Sequence, residues 1–358
     1  MDAIIFSDLH YHEHPEFPTK EIADSVLNQI EEYREKNNIN FIFHLGDLYH
    51  NRARMPIRII RPIAKRFMKW FQGGADVYLL KGNPMHEGEG VDYNGGMFPV
   101  AVVIEQPEII PFDDLKVGVS MVPFMRKDQI ISWIKKTKDQ RKSFRTNILM
   151  IHYALAGAKL QDYEVPLKDA LTHTDLVDFD FVFAGHYHSF QQPWTKAIHV
   201  GSPYRISFSE RDWQKGFVHL KINNKGVFDI NFVPLLVPNM KEFYIDQPDP
   251  VGKGLFEDDV TNCFVKVVFH GTEGFMRTLQ PNISNIKEHL ITKGALGVSI
   301  TKERTKDENE VREVRIQKSD TPEKMMDRYI QFTKDQTTAL DQKRLRSIGI
   351  LALKGGKK

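Results

Sequence analysis

The stretch Phe183-Ala184-Gly185-His186-Tyr187-His188 is the part of the sequence around which the fold can be built. It follows an apolar run over residues 179–183 that has the length and composition of a buried strand, and its histidines stand where that strand should end. Residues i and i+2 of an extended chain point to the same side, so His186 and His188 can face one site. Neutral imidazoles suit transition-metal ions, and the pair can ligate one ion or each a different ion. A polar loop without a metal is the other interpretation.

The same spacing occurs near the start of the chain, as Asp8-Leu9-His10 after a strand pattern over residues 3–7. A helical pattern over residues 21–34 follows, with Thr19 as a possible N-cap, and then a strand over residues 40–45 that ends in Gly46-Asp47. Alternating strands and helices are typical of a parallel α/β sheet, whose ligands gather outside the carboxyl ends of the strands. Asp8 and Asp47 are therefore expected to be neighbours in space.

Other strand patterns end in metal-competent side chains as well. The run 77–80 leads to Gly82-Asn83, and the run 147–151 leads to His152, whereas His44 within a strand is predicted to be a core residue. The convergence predicts a metal site at one edge of one sheet, formed by Asp8, His10, Asp47, Asn83, His152, His186 and His188.

Composition limits the classes of protein to consider. The 358 residues are 41% hydrophobic and 27% charged, which is typical of a globular chain with one enzyme domain and a smaller second domain. The single cysteine, Cys263, allows no internal disulfide, no signal peptide is evident, and no apolar run reaches the roughly 20 residues that span a bilayer. We expect a soluble protein of a reducing compartment. The net charge of +2 means that any phosphate-binding surface must be a local patch.

Two segments are strongly basic. Residues 52–69 contain seven basic residues and no acidic residue, and they predict an amphipathic helix that Pro62 delays or kinks. This helix presents either a solvated basic face or a surface that contacts DNA or a second subunit. Residues 126–145, partly helical, form either a generic basic surface or a place for DNA backbone contacts. The predicted apolar side of the first helix is Ile60, Ala64, Phe67, Met68 and Phe71.

The order Asp-x-His, Gly-Asp, Gly-Asn, His and Gly-His-x-His resembles the calcineurin-like metallophosphoesterases over residues 1–220. Within that superfamily, Gly46-Asp47-Leu48-Tyr49-His50 is similar to the SbcD nuclease subunits, the bacterial and phage relatives of the eukaryotic double-strand-break repair nuclease. A later set carries the same resemblance: Gly201-Ser202-Pro203-Tyr204-Arg205, Phe208, Glu210 and Lys215-Gly216-Phe217. The implied fold is α/β, a four-layer β-sandwich flanked by helices.

The resemblance also implies which residues bind each of two metal ions. Asp47 would bridge two divalent ions, of which one is completed by Asp8, His10 and His188 and the other by Asn83, His152 and His186. Mixed nitrogen and oxygen ligands suit manganese, iron or zinc better than magnesium, and Mn²⁺ is the usual activator in this branch. His50 is a second candidate contact to the scissile phosphate; its other interpretation is a polar residue at a helix start.

One loop departs from the family pattern Gly-Asn-His-Asp, whose histidine contacts the scissile phosphate. The chain reads Gly82-Asn83-Pro84-Met85-His86-Glu87. Either two residues are inserted and His86-Glu87 stand in for the family pair, which is the interpretation we favour, or the catalytic histidine is lost. Pro84 fixes its own φ and restricts Asn83, so this loop must follow a different path in either case.

The resemblance divides the chain into a nuclease domain (1–240), a capping, DNA-binding domain (241–318) and a C-terminal helical segment (319–358). The capping domain should be α+β, with strands over residues 263–269, 296–301 and 311–316 and a helix over 283–290, and residues 233–250 should be a connection. Thr321-Pro322-Glu323 is a helix start signal. The C-terminal helices either dock on an SbcC-type ATPase or pack on their own chain.

Together these patterns predict a dimetal DNA nuclease subunit, a homodimer that cuts DNA as an exonuclease or endonuclease in a recombination and repair complex. It would be cytoplasmic, nucleoid-associated or in a host cytoplasm if phage-encoded. One alternative is a phosphoesterase of small substrates such as nucleotides, or of phosphoproteins. Another is a scaffold whose altered loop at Asn83-Pro84-Met85 has disabled the chemistry.

Overall fold

Two six-stranded sheets form the centre of the molecule. The structure is a computed structural model, and it describes residues 1–14, 17–50, 55–88, 98–160, 163–164, 167–226, 228–246, 258–279, 283–304, 321–332, 345–346 and 350. The first sheet has the strand order β14-β13-β1-β2-β3-β4 and the second has the order β11-β12-β10-β7-β6-β5. The strands are β1 Asp2–Phe6, β2 Phe41–His44, β3 Asp76–Leu80, β4 Ala101–Ile104, β5 Glu108–Phe112, β6 Val117–Val122, β7 Thr146–His152, β8 Lys159–Leu160, β9 Tyr163–Glu164, β10 Phe181–Gly185, β11 Gln191–Trp194, β12 Ala197–His199, β13 Gly216–Ile222, β14 Phe228–Pro234, β15 Asn239–Asp246, β16 Cys263–Gly271 and β17 Gly297–Arg304.

Helices cover the outer faces of both sheets. Ile22, Val26 and Ile30 of the first long helix pack with Phe67 and Trp70 of the second on the outer face of the first sheet. On the other side of the molecule, a third long helix packs against the second sheet. The helices are α1 Thr19–Asn37, α2 Ile57–Gln72, α3 Pro84–Glu87, α4 Lys127–Lys136, α5 Lys138–Arg141, α6 Glu273–Leu279, α7 Ile283–Thr292 and α8 Pro322–Phe332. The layers run helix, sheet, sheet, helix, which confirms the predicted α/β sandwich.

The core between the sheets explains why the central strands read as continuous apolar runs. Ile5 of β1 and Phe43 of β2 meet Val119, Met150 and Phe183 of the second sheet in one buried cluster. Strands β1 to β4 are parallel, as are β6, β7, β10 and β12. The central strands of both sheets are covered on both faces, whereas Val102 of the edge strand β4 is 48% exposed. His44 is fully buried, as predicted for a core residue.

The basic helix α2 begins at Ile57 and keeps Pro62 in its interior. Its buried side is Ile59, Ile63, Phe67 and Trp70. Most residues predicted for the buried side lie one position after the residue that is buried, so this prediction was wrong. Met68 and Phe71, predicted to be apolar contacts, are 40% and 53% exposed. Trp70 lies edge-on to Phe6 of β1, so the large ring sets which side of the helix faces the sheet.

Two local predictions were wrong. Pro18, not Thr19, occupies the N-cap of α1, and the hydroxyl of Thr19 instead donates to the carbonyl of His12. The segment 233–250, predicted to be a connection, contains β15, which pairs in parallel with β16 in a three-stranded sheet completed by β17. Prolines at both ends of this segment masked its alternating strand pattern. The predicted strand 311–316 lies outside the described residues.

The smaller sheet β15-β16-β17 has helices α6 and α7 packed on it, with Val265, Val267, Phe275, Leu279 and Leu290 in a separate core. At the C-terminus α8 begins with Pro322 at the first helical position, as predicted. Most of the second predicted C-terminal helix lies outside the described residues. None of the helices that the structure describes is long and apolar enough to cross a bilayer.

Candidate metal centre

The site lies where strands of both large sheets end. β1, β2 and β3 of the first sheet lead to Asp8, Asp47 and Asn83, and β7 and β10 of the second lead to His152 and His186. The prediction of one edge of one sheet was therefore wrong, because the chain crosses to a second sheet after β4. The two edges are joined directly, since the amide of His186 donates to both carboxylate oxygens of Asp8 at 3.2 and 3.0 Å.

The backbone of the site is held in an uncommon conformation. Asp8, His10, Asp47 and His186 all have positive φ angles, of 52°, 43°, 55° and 87°. Such angles are uncommon for residues other than glycine and persist only where the surrounding structure enforces them. Here the loops after β1 and β2 run side by side, with the amides of Asp8 and His10 donating to the carbonyls of Gly46 and Asp47, each at 2.9 Å.

Three of the predicted ligands form a first cluster. The Nε2 atoms of His10 and His188 face each other at 3.2 Å, and Oδ1 of Asp8 lies 4.0 Å from the first and 3.9 Å from the second. Oδ2 of Asp47 lies 3.6 Å from His10 Nε2. Three or four ligand atoms at these spacings surround a point where one cation can be held.

A second cluster shares the carboxylate of Asp47. His152 Nε2 lies 3.5 Å from Asp47 Oδ2, and Asp8, Asp47 and His152 form a buried group with ligand atoms close together. His186 lies beside this group, with its ring centroid 5.3 Å from that of His152. The amide of Asn83 donates to Asp47 Oδ1 at 2.6 Å, while its side-chain oxygen accepts from the amide of Met85. Oδ2 of Asp47 therefore lies within 3.6 Å of a histidine nitrogen of each cluster, and Asp8 belongs to both clusters.

The ring nitrogens identify atoms that are free to bind a cation. Nδ1 of His152 must donate to the carbonyl of Leu45 at 2.6 Å, because a carbonyl oxygen only accepts. Its Nε2 is buried and has no hydrogen-bond partner among the described residues. A buried imidazole nitrogen without a partner, aimed at a carboxylate, fits a metal ligand. The donor set of imidazole and carboxylate atoms thus fits two divalent cations.

Without a cation, the buried charges stabilise one another. Burial opposes the charge of His152, but the Asp47 carboxylate raises the pKa of His152 to about 9. Burial also opposes the charge of Asp47, yet the surrounding imidazoles hold its pKa well below the ordinary range. For His186, burial and the neighbouring His152 lower the pKa to about 3. The pKa of His152 is thus raised and that of His186 lowered relative to an ordinary histidine.

A buried glutamate and lysine hold His188 in place. Nδ1 of His188 donates to Glu210 Oε1 at 2.8 Å, which leaves its Nε2 facing His10. Lys215 Nζ donates to Glu210 Oε2 at 2.6 Å and to the carbonyl of His188 at 2.9 Å. Both residues belong to the motifs that carry the family resemblance, but the sequence alone did not assign them to the site. Nothing in the spacing of 22 and 27 positions from His188 indicates the contact.

Replacing Glu210 with glutamine is expected to weaken binding of Mn²⁺ by about 10–100-fold, because the partner that orients a ligating histidine is lost. Isothermal titration of the purified chain with Mn²⁺ measures this change. Glu242→Gln is the matched control, since Glu242 is a similarly shielded glutamate that pairs with Arg211 and Lys266 away from the site. Equal affinities of the Glu210 variant and the unmodified chain would show that His188 is oriented without this partner.

His86 and His50 lie at the open side of the clusters. Together with His10 they form a third group of close ring nitrogens. Nδ1 of His86 donates to the carbonyl of His50 at 2.9 Å, and its Nε2 lies 3.9 Å from Asp47 Oδ2. The ring of His10 lies 4.6 Å from that of His86 and 5.3 Å from that of His50, centroid to centroid. The altered loop thus brings His86 to the place where its side chain faces the predicted ligands.

Glu87 explains how the longer loop is fixed. Pro84 to Glu87 form the single turn α3, capped by the side chain of Asn83. The buried carboxylate of Glu87 accepts from the amides of Leu48 at 2.5 Å and Gly82 at 2.6 Å. It therefore ties the loop after β2 to the loop after β3. Burial and the nearby Asp47 raise the pKa of Glu87 to about 8.

Gly82 allows these two loops to touch. A Cβ at this position would overlap the amide nitrogen and a carboxylate oxygen of Asp47. We expect Gly82→Ala to cost about 1–3 kcal/mol of stability by overpacking and to weaken Mn²⁺ binding. Urea denaturation measures the first effect. Gly274→Ala in α6 is the control, because its Cβ would meet only Thr272 Oγ1 at 3.8 Å and should be neutral or stabilising. A Gly82 variant as stable as this control would contradict the close packing.

Residues 1–190 match the model of the calcineurin-like phosphoesterase family, so the chain belongs to this family. Its members are dimetal enzymes that hydrolyse phosphoesters, which agrees with two overlapping clusters of possible ligands that share the carboxylate of Asp8.

Two curated relatives are nucleases or repair proteins. The chain is 24% identical over 238 residues to the SbcD component of the SbcCD nuclease of Staphylococcus epidermidis, which covers 59% of this chain and 63% of the relative. It is also 24% identical over 181 residues to the DNA double-strand break repair protein Mre11 of Methanocaldococcus jannaschii, covering 47% of this chain and 45% of the relative. The matches thus span less than two thirds of either relative. A solved dimetal phosphatase from Danio rerio is similar over 62% of this chain and 92% of its own, with 9% identity and a TM-score of 0.40.

Proposed function

We propose that this protein is a manganese-dependent DNA nuclease, the phosphodiesterase subunit of a recombination and repair complex. The observation that carries the proposal is a pair of clusters that share Asp8 and that both approach Asp47, whose Oδ2 lies 3.6 Å from His10 Nε2 and 3.5 Å from His152 Nε2. His86 faces them from the open side. In this proposal Asp8, His10 and His188 hold one cation, Asn83, His152 and His186 hold the other, and Asp47 bridges them. Two such cations lower the pKa of bound water and neutralise charge on the phosphoryl oxygens.

The protein supplies the positioning and the proton. His86 carries hydrogen on Nδ1, bound to the carbonyl of His50, so Nε2 is the atom that takes up and gives a proton. Nε2 faces the cluster, where it can protonate the leaving oxygen of the cleaved strand. His50 is exposed and lies beside His86 and His12, where it can donate to a phosphate oxygen. Burial and the neighbouring imidazoles lower its pKa to about 4, so a donor role uses the neutral ring.

DNA as the substrate is supported by the names of the two relatives and by basic surfaces. Exposed cations of α2 include Arg58, Arg61, Lys65 and Lys69. In the segment 126–145 Arg141 is not a candidate for a DNA contact, because it is buried and donates to Thr137 and the carbonyl of Ile134. Arg126, Lys138 and Lys142 pair with Asp128, Asp178 and Asp139. We therefore propose the exposed Lys135 and Lys136 as the contacts of that segment to phosphates.

The larger assembly is also part of the proposal. We assign residues 1–240 to the nuclease domain, 241–318 to a capping domain and 319–358 to a segment that binds an SbcC-type ATPase, and we propose that the protein is a homodimer. Tyr329 of α8 is 44% exposed, which suits a partner-binding face, whereas Met326 is buried within the chain. The proposed location is the cytoplasm, at the nucleoid or in a host cell.

The test is digestion of linear duplex and single-stranded DNA with Mn²⁺, using Asp47→Ala as the negative control. We expect cleavage by the unmodified chain, alone or with its ATPase, and none by the variant. Faster hydrolysis of a chromogenic phosphate monoester than of DNA would instead identify a small-substrate phosphoesterase. Binding of Mn²⁺ without hydrolysis of either substrate would identify a scaffold.

A further inference from the structure

A cavity of about 440 Å³ opens directly beside the metal centre, and nothing in the proposed chemistry uses it. His186 and His188 form the part of its wall that belongs to the site. The rest of the wall is mainly apolar and includes Tyr187, Ile206 and Trp213. The volume falls within the range of small-molecule sites, roughly 300–1,000 Å³, and exceeds what a phosphate alone requires.

The indole of Trp213 is built into the metal-site framework. Lys215 Nζ lies 5.3 Å from its ring centroid, and the amide of Trp213 donates to the carbonyl of Glu210 at 3.0 Å. These are the same two residues that hold His188. The guanidinium of Arg205 also donates to the carbonyl of Trp213 at 3.2 Å. An aromatic wall fixed in this way loses little conformational entropy when a flat ring stacks on it.

Besides the two histidines, the polar residues of the lining are Lys159, Ser189, Ser207, Ser209 and Glu210. Lys159 and Ser207 are exposed and belong to the lining, whereas Glu210 is buried and already paired with His188 and Lys215. A flat heterocycle that carries a phosphate fits this arrangement. The phosphate of such a ligand would reach the residues that hold the cations, its ring would lie against Trp213 and Tyr187, and Lys159 would be available to a further backbone phosphate.

We propose that this cavity holds the nucleobase of the DNA nucleotide next to the scissile phosphate, stacked on Trp213. The inference rests on the proposed nuclease function and adds to it a base-holding site. Stacking accepts any base, because every base has a π-face, so the site favours nucleotides over abasic phosphates without selecting a sequence. Single-stranded or locally unpaired DNA is the form that can place a base there.

The first experiment measures binding, so it does not depend on cleavage. The Mn²⁺-loaded chain is titrated calorimetrically with dAMP and with deoxyribose phosphate. We expect dAMP to bind about tenfold more tightly. Trp213→Ala should abolish this preference and Trp213→Phe should keep most of it, while Trp133→Ala, on α4 outside the cavity, should leave it unchanged. Equal affinities for the two ligands, or a preference that survives in Trp213→Ala, would overturn the inference.

The second experiment tests whether the base belongs to a DNA strand. A single-stranded oligonucleotide is compared with the same strand carrying an abasic nucleotide beside the cleaved bond. We expect the KM to rise about tenfold for the abasic strand and no difference between the strands for Trp213→Ala. A dAMP preference with no effect of the abasic nucleotide would overturn the assignment to DNA in favour of a free nucleotide. A dAMP preference in a chain that cleaves no DNA would refute the nuclease proposal and leave the base site supported.

Discussion

Replacing His86 with alanine is expected to lower kcat for DNA cleavage by about 10²–10⁴-fold, the usual contribution of a positioned acid or base. The reason is geometric. The contact with the carbonyl of His50 fixes the ring, and Nε2 points to the cluster 3.9 Å from Asp47 Oδ2. Because His86 lies outside the two clusters around Asp47 that we assign to cations, the affinity for Mn²⁺ should change little. Initial rates at saturating DNA and a parallel Mn²⁺ titration measure the two quantities.

Met85→Ala is the matched control for this experiment. Met85 precedes His86 in the same helical turn and is 74% exposed, so its loss leaves the turn and the metal centre intact. Unchanged kcat in the His86 variant would mean that the loop does not replace the family histidine. A large loss of Mn²⁺ affinity would make His86 a ligand instead, which the third group of nitrogens, with His10 and His50, would then explain.

Replacing Lys215 with methionine is expected to lower the free energy of unfolding by about 3–5 kcal/mol, because it leaves the buried charge of Glu210 uncompensated. The side chains of Lys215 and Glu210 are 0% and 4% exposed. Lys215 also bonds to Ser202 Oγ at 2.7 Å and to the carbonyl of His188, so several buried acceptors lose a donor together. Urea denaturation measures the change.

The double variant Lys215→Met with Glu210→Gln separates charge from packing. If the loss arises from an unpaired charge, removing that charge should restore part of the stability, so the two changes should be less than additive. Lys142→Met is the control, since Lys142 forms an exposed pair with Asp139 and should leave the stability unchanged. Equal stabilities of Lys215→Met and Lys142→Met would contradict the assigned burial.

The predicted ligands came together because strand ends are predictable from apolar runs. Asp8 and Asp47 each follow such a run in parallel strands of the first sheet, whose carboxyl ends lie at one edge, and His152 ends β7 of the second sheet. The division into two sheets was not predictable in this way, because the pattern of a strand does not specify which sheet it joins. The helix α2 is another example. The apolar residues of this helix would allow either of two neighbouring sides to face the sheet, and the packing of Trp70 on Phe6 determines which one does.

Residues that act through long-range contacts were missed for a related reason. Glu210 reaches His188 only because the chain folds back after β12, and Glu87 reaches Leu48 across 39 positions. The periodicity of the sequence indicates neither contact. The strained backbone at Asp8 and His186 is equally hidden, since it follows from the hydrogen bonds between loops rather than from the residue types.

The carboxylate of Glu87, which accepts from the amides of Leu48 and Gly82, is a feature by which relatives of this chain can be recognised. A text search for Gly-Asn-His as adjacent letters passes over the sequence, although the histidine stands beside Asp47 in space. Residues 84–87 form the single turn α3, and the acid at its end reaches two amides on neighbouring loops. Homologues with a different loop after β3 can be recognised by an acidic residue that accepts from the amides equivalent to those of Leu48 and Gly82. Its distance along the chain from the equivalent of Asn83 need not be the same.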